Sequence, residues 1–134
     1  MVKVIIDTNL LIEEERTGGG FSMIGPDDEI AVAAISIAEL REGLLSSHTE
    51  AVANERQEFL NRIGLVCEIL PYTELTAVEH AALLRHCRVS GSPRGAHDLI
   101  IAAHARETGR TIVTADRKAR FTDLPGALVR QPSD

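Results

Sequence analysis

Short apolar runs alternate with longer amphipathic stretches along almost the whole chain, and no hairpin signal joins one run to the next. Antiparallel neighbours are joined by tight turns, whereas parallel strands need a crossover of a dozen or more residues, usually a helix. The alternation therefore predicts an α/β fold with a mostly parallel sheet. Strands are expected at residues 2–6, 29–34, 66–70 and 111–114, with one more edge strand near 127–129. The first, Val2-Lys3-Val4-Ile5-Ile6, is β-branched almost throughout, as suits a central strand covered on both faces. Helices are expected from about Leu10 to Glu15, from Ser36 to Leu45, and over 50–63, 73–88 and 96–108. Val52, Phe59, Leu60 and Ile63 would face inward on the third of these, and Leu75, Val78, Ala82 and Leu84 on the fourth. Gly109 stands where a left-handed helix cap belongs. Residues 17–25, rich in glycine, read only as a loop or a broken helix. At 134 residues, one domain covering 1–134 is expected.

In parallel α/β sheets, ligands gather outside the carboxyl ends of the strands. Four acids fall near such ends or on a helix facing inward: Asp7, Glu39, Asp98 and Asp116. Each has a plainer explanation to set beside a site. Asp7 can cap the helix that follows it, although Thr8 and Asn9 are placed to do the same. Ser36-Ile37-Ala38-Glu39 reads as a capping box, with the glutamate reaching back to the serine N–H. Asp116, in Thr114-Ala115-Asp116-Arg117, can be a turn residue. Asp98 resists such treatment, because it shares a helical stripe with Ile101, Ala102 and Ala105. A carboxylate on a core-facing stripe needs a cation or hydrogen-bond donors. Brought together, four carboxylates would repel one another and raise their pKa values unless a cation compensated. A donor set of oxygens alone favours Mg²⁺ or Mn²⁺ over zinc.

Composition removes several other classes. The two cysteines, Cys67 and Cys87, make no C-x-x-C unit, and the five histidines show no zinc spacing. No apolar run approaches the roughly 18 residues that span a bilayer. The amino terminus runs directly into a strand rather than a signal peptide, which predicts a cytoplasmic protein. A net charge of −6 excludes a strong polycation. Basic residues nevertheless gather in the second half, at Arg85, Arg88, Arg94, Arg106, Arg110, Arg117, Lys118 and Arg120, where they form either a solvated face or a binding face. With three phenylalanines and one tyrosine, the chain offers little for stacking single-stranded bases.

Four ordered motifs carry a resemblance: Ile6-Asp7-Thr8-Asn9, then Ser36-x-x-Glu39-Leu40-x-x-Gly43, then His97-Asp98-Leu99-Ile100-Ile101-Ala102-Ala103-x-Ala105, and last Thr114-Ala115-Asp116 followed by Phe121. Over essentially its full length the chain resembles PIN-domain ribonucleases, and more narrowly the VapC toxins of toxin–antitoxin pairs. The resemblance implies a three-layer α/β/α sandwich and metal-dependent endonucleolytic cleavage of RNA, usually tRNA or rRNA, by metal-activated water. It implies that Asp7 and Asp98 hold Mg²⁺ or Mn²⁺ directly, that Glu39 and Asp116 complete the site, and that Thr8 and Thr114 support the carboxylates. It also implies a homodimer and a VapB-like antitoxin. Arg85, Arg88, Arg94 and Lys118 are candidates, from charge alone, for contacts to flanking phosphates. The glycine-rich stretch at 17–25 lies outside the shared pattern. Two alternatives stand beside this reading: a PIN-like module that binds without catalysis, and a receiver-like phosphoacceptor domain, which would want adjacent acids after the first strand and a lysine at the end of a late one.

Overall fold

The computed structural model describes residues 2–133. Five strands and five helices follow one another in the described residues: β1 (Lys3–Ile6), α1 (Thr8–Thr17), β2 (Glu29–Ala33), α2 (Ala34–Leu45), α3 (Glu50–Val66), β3 (Glu68–Leu70), α4 (Glu74–Ser90), α5 (Ala96–Thr108), β4 (Thr111–Val113) and β5 (Leu128–Arg130), with a 3₁₀ turn at Phe121–Asp123. The strands form one sheet in the order β3-β2-β1-β4-β5, and every pairing is parallel. In register, Val4 lies beside Ile30 on one side and Thr111 on the other.

Side chains of a strand alternate between faces, and β1 divides the core accordingly. Val4 and Ile6 join Leu10, Leu11, Leu40, Phe59 and Ile63, so α1, α2 and α3 cover one face. Ile5 turns the other way, toward Leu83, Ile101, Ile112 and Phe121, under α4 and α5. The result is the expected three-layer sandwich, with β1 at its centre and Val4, Ile5 and Ile6 fully buried.

The helices begin and face somewhat differently from expectation. No loop separates β2 from α2: Ala33 is the N-cap and Ala34 the first helical residue, so Ser36 lies inside the first turn and cannot open a capping box. On α3, Phe59, Leu60 and Ile63 are buried as expected, but Val52 is exposed. The correction is larger on α4, which buries Thr76, Leu83 and Cys87 while leaving Leu75, Val78, Ala82 and Leu84 exposed. Apolar residues occupy both sides of this helix, and period alone does not say which side meets the sheet. Thr73 does cap α4, its N–H donating to Thr76 Oγ1 at 3.0 Å, and Gly109 is the left-handed cap of α5 with φ 70°.

The glycine-rich segment has a definite course. Gly18 ends α1 in the left-handed region, φ 75°. Gly20 then folds the chain back onto α1, where a Cβ would run into the Leu10 carbonyl oxygen and lie 2.6 Å from the Glu14 nitrogen. Only a residue without a side chain permits that approach. Farther along the chain, inside α2, Gly43 serves a related purpose, since a Cβ there would come within 2.5 Å of Arg56 Nη1. That guanidinium reaches across from α3 to the Leu40 carbonyl at 2.8 Å and pairs with Glu15, tying three helices together.

Candidate metal centre

The sheet order fixes where a site can form. From β1 the chain winds outward through β2 to β3, then crosses back to β4 on the other side of β1 and continues to β5. The carboxyl ends of β1 and β4 therefore flank the topological switch point, the place where α/β sheets open a crevice. Asp7 follows β1, and Thr114 and Asp116 follow β4. The Asp7 N–H donates to the Val113 carbonyl at 3.0 Å, which locks the two strand ends side by side.

Asp7 is 2% exposed. It occupies the N-cap position of α1 but makes no side-chain cap. Its Oδ2 instead accepts a hydrogen bond from Thr114 Oγ1 at 2.8 Å. Burial is the chief reason its pKa is pushed up to about 6, and the charges of Asp98 and Asp116 push in the same direction. Asp98, in the first turn of α5, is half-buried, and its carboxylate meets no side-chain donor among the described residues. Its pKa is raised by burial first, then by Asp116 and Glu39, with His97 and Arg94 pulling the other way. The four acids thus share one electrostatic neighbourhood.

Glu39 does not cap its own helix. Its carboxylate pairs with His97 Nδ1 on α5, while the Ser36 hydroxyl, fully buried, bonds Thr8 Oγ1 at 2.7 Å. Asp116 combines two roles. Its Oδ1 accepts from the Lys118 and Ala119 N–H groups, as a turn residue would, and its Oδ2 accepts from Asn9 Nδ2 at 3.3 Å. Thr114 braces both strand-end acids, since its Oγ1 also accepts from the Asp116 N–H at 2.9 Å. Thr8 braces none with its side chain, which is spent on Ser36.

Asp7, Glu39 and Asp98 line one open cavity of about 390 Å³, together with Asn9 and His97. Asp116 lies across the Asn9 side chain from it. Among the described residues, no three His, Cys, Asp or Glu side chains converge at ligand distance on one point. Asp7, Glu39 and Asp116 each turn an oxygen to a donor of the protein instead. The fit to a divalent ion rests on chemistry: carboxylates with like charges in mutual repulsion, and an Asp98 carboxylate that meets no donor among the described residues. Hard cations such as Mg²⁺ and Mn²⁺ suit that set.

Asn9, Ser36 and His97 are site residues that charge-based reading passed over. Asn9 and His97 flank acids in the motifs, but nothing local indicates that Asn9 steadies Asp116 or that His97 faces Glu39. The basic residues divide sharply. Arg110 is buried and donates to the Val4 and Glu29 carbonyls and to Glu68. Arg106 pairs with Glu79, and Arg120 donates to Ser92. Arg94 Nη1 donates to the Ala119 and Arg120 carbonyls at 3.0 and 2.6 Å, across the turn that carries Asp116. Arg85, Arg88 and Lys118 are exposed.

A parallel three-layer sheet with a buried carboxylate at its switch point, facing acids from two helices and a neighbouring strand end, defines a class of acidic-site α/β proteins. Within it, the chain belongs to the PIN-domain family, whose model matches residues 4–126. It is 30% identical over 123 residues to Ribonuclease VapC5 of Mycobacterium tuberculosis, covering 92% of this chain and 88% of that one. It is 29% identical over 126 residues to Toxin FitB of Neisseria gonorrhoeae, covering 88% and 91%. The crystal structure of VapBC-5 from Mycobacterium tuberculosis, described as a member of the VapBC family of toxin–antitoxin systems, superposes with a TM-score of 0.77 at 27% identity and covers 98% of both chains. Membership of this family removes the receiver-like alternative.

Proposed function

We propose that this chain is a divalent-metal-dependent endoribonuclease, the toxin of a toxin–antitoxin pair, acting on structured RNA of the tRNA or rRNA class. The observation that carries the proposal is the Asp7 carboxyl, buried at the switch point and raised to about 6, with the charges of Asp98 and Asp116 bearing on it. The names of VapC5 and FitB, a ribonuclease and a toxin, support the two halves of this reading respectively. A VapB-like antitoxin is proposed as partner on the strength of the VapBC-5 assembly.

In this reading Asp7 and Asp98 hold Mg²⁺ or Mn²⁺, and Glu39 and Asp116 complete its surroundings. When bound, such an ion activates a water toward the phosphodiester and offsets the charge that builds on the phosphate. The chain's own residues do the positioning. Thr114 fixes one oxygen of Asp7 and the backbone of Asp116. Asn9 holds Asp116 through its Oδ2, and the buried Thr8–Ser36 pair joins the start of α1 to α2, which carries Glu39. Arg85, Arg88 and Lys118 are proposed to meet flanking phosphates. Arg94 is proposed to act through the turn it holds, and through its charge near Asp98.

No helix among the described residues is long and apolar enough to cross a membrane. The cytoplasm, where tRNA and rRNA reside, is the proposed setting. The exposed apolar start of α4, at Leu75 and Val78, is proposed as a homodimer face ahead of Arg85 and Arg88, and the residues 1–134 as one folding unit.

The deciding experiment is sequencing of RNA 5′ ends after brief induction, with Asp98→Asn as control. New ends at a few sites, together with growth arrest, are expected for the native chain and absent for the variant. Equal cleavage and arrest in both would overturn the metal-nuclease reading, and no new ends from the native chain would leave the non-catalytic binding module.

A further inference from the structure

α2 and α5 belong to different layers of the sandwich, α2 packing through Leu40 on one face and α5 through Ile101 on the other. At the carboxyl edge of the sheet they come together. Each sends a side chain to the acidic cavity there, Glu39 from α2 and His97 from α5. His97 Nδ1 bonds Glu39 Oε1, joining residues 58 positions apart. An ionised carboxylate only accepts, so the Nδ1–H is the donor.

Little else restrains Glu39. Ser36, the nearest hydroxyl on its own helix, is bonded to Thr8. Among the described residues His97 is the one hydrogen-bond partner of the Glu39 carboxylate, and Oε2 makes no bond. The glutamate side chain is 35% exposed and the histidine 50%, so packing does not fix the pair. The charges of Glu39 and Asp98 oppose each other, which would drive a free glutamate out toward water. A donor from another layer holds it against that repulsion. The other acids around Asp98 are held alike, each by a side-chain donor from a different element: Asp7 by Thr114, and Asp116 by Asn9. Partners that orient a metal ligand without touching the ion commonly change metal affinity by roughly 10–100-fold when removed.

We propose that His97 is a positioning residue of the metal centre: its Nδ1–H keeps Glu39 at the cavity and leaves Oε2 available to a divalent cation. The inference rests on the metal-site reading above, and it adds a residue from outside the acidic set.

The test is Mn²⁺ binding by the full chain without RNA, followed as loss of the free-ion electron paramagnetic resonance signal. His97→Leu should bind Mn²⁺ roughly tenfold more weakly than the native chain, with an unchanged melting temperature in EDTA. His97→Asn should restore native affinity, because its Nδ2 takes the place of Nδ1. In a Glu39→Ala background His97→Leu should cost nothing more, since the histidine acts through that carboxylate. Native affinity in His97→Leu, with binding still abolished by Asp98→Asn, would overturn the proposal and spare the metal reading. An Asn variant as weak as the Leu one would overturn it too. So would an equal loss with and without Glu39, which would make His97 a ligand in its own right. A native chain that binds Mn²⁺ no better than Asp98→Asn would end the metal reading, and this inference with it.

Discussion

At the scale of single residues, Asp7 sets the clearest expectation. Its folded pKa of about 6 lies above the ordinary 3.8, so between those values the folded state binds more protons than the unfolded one. Stability from this group is intact below about pH 4 and falls as pH rises through 6. The gap corresponds to roughly 3 kcal/mol of destabilisation near neutral pH. Asp7→Asn keeps the shape and still accepts the Thr114 hydroxyl. In EDTA at pH 7.5 the variant should melt above the native chain, and the difference should vanish by pH 4. Adding Mg²⁺ should raise the native melting temperature and leave Asp7→Asn unmoved. Identical pH profiles for the two proteins would mean that the carboxylate is not strained by its surroundings.

Among elements, the junction of α5 with the turn after β4 spends one charge on the fold, whereas α4 leaves others exposed. Arg94, just ahead of α5, holds two carbonyls of that turn, and its Nε is buried without a partner among the described residues. Hydrogen bonds from a charged donor contribute about 1.5–3 kcal/mol each. Arg94→Ala should therefore lower the melting temperature and, by freeing the Asp116 turn, lower activity as well. The double variant Arg85→Ala/Arg88→Ala on α4 should behave oppositely. Its stability should stay within about 0.5 kcal/mol of native, while RNA affinity and its salt dependence decline. Thermal melts and a salt series of binding constants distinguish the two outcomes. If Arg94→Ala weakened RNA binding without loss of stability, its role would be a phosphate contact after all.

For the whole molecule, the outer side of α4 is the feature that the monomer leaves unexplained. Leu75, Val78 and Val89 are each more than 60% exposed, and Ala82 lies between them on the same helix. If two copies meet there, light scattering should report a dimer at micromolar concentration, and Leu75→Asp/Val78→Asp should give a monomer with unchanged circular dichroism. A native chain that is already monomeric would remove the proposal.

The elements and the layer order were legible because they depend on local runs. A β-branched stretch such as Val4-Ile5-Ile6 suits a buried strand wherever it lies in a sheet, and the intervening helices require parallel pairing. The sequence also brought out Asp7 and Asp98, whose surroundings are anomalous for an acid even when read locally. What it left open were matters of adjacency. Glu39 reads locally as a capping glutamate, yet α2 starts two residues before Ser36 and the carboxylate meets His97, 58 positions away. The inward side of α4 was misassigned because both its sides carry apolar residues. Even Arg94, which looks like a free charge, proves to be a brace. Only the tertiary structure, by placing β4 beside β1 rather than beside β3, decided that Asp7, Thr114 and Asp116 would meet. Strand order is a long-range choice made by packing both faces of the sheet at once, and no stretch of chain contains it.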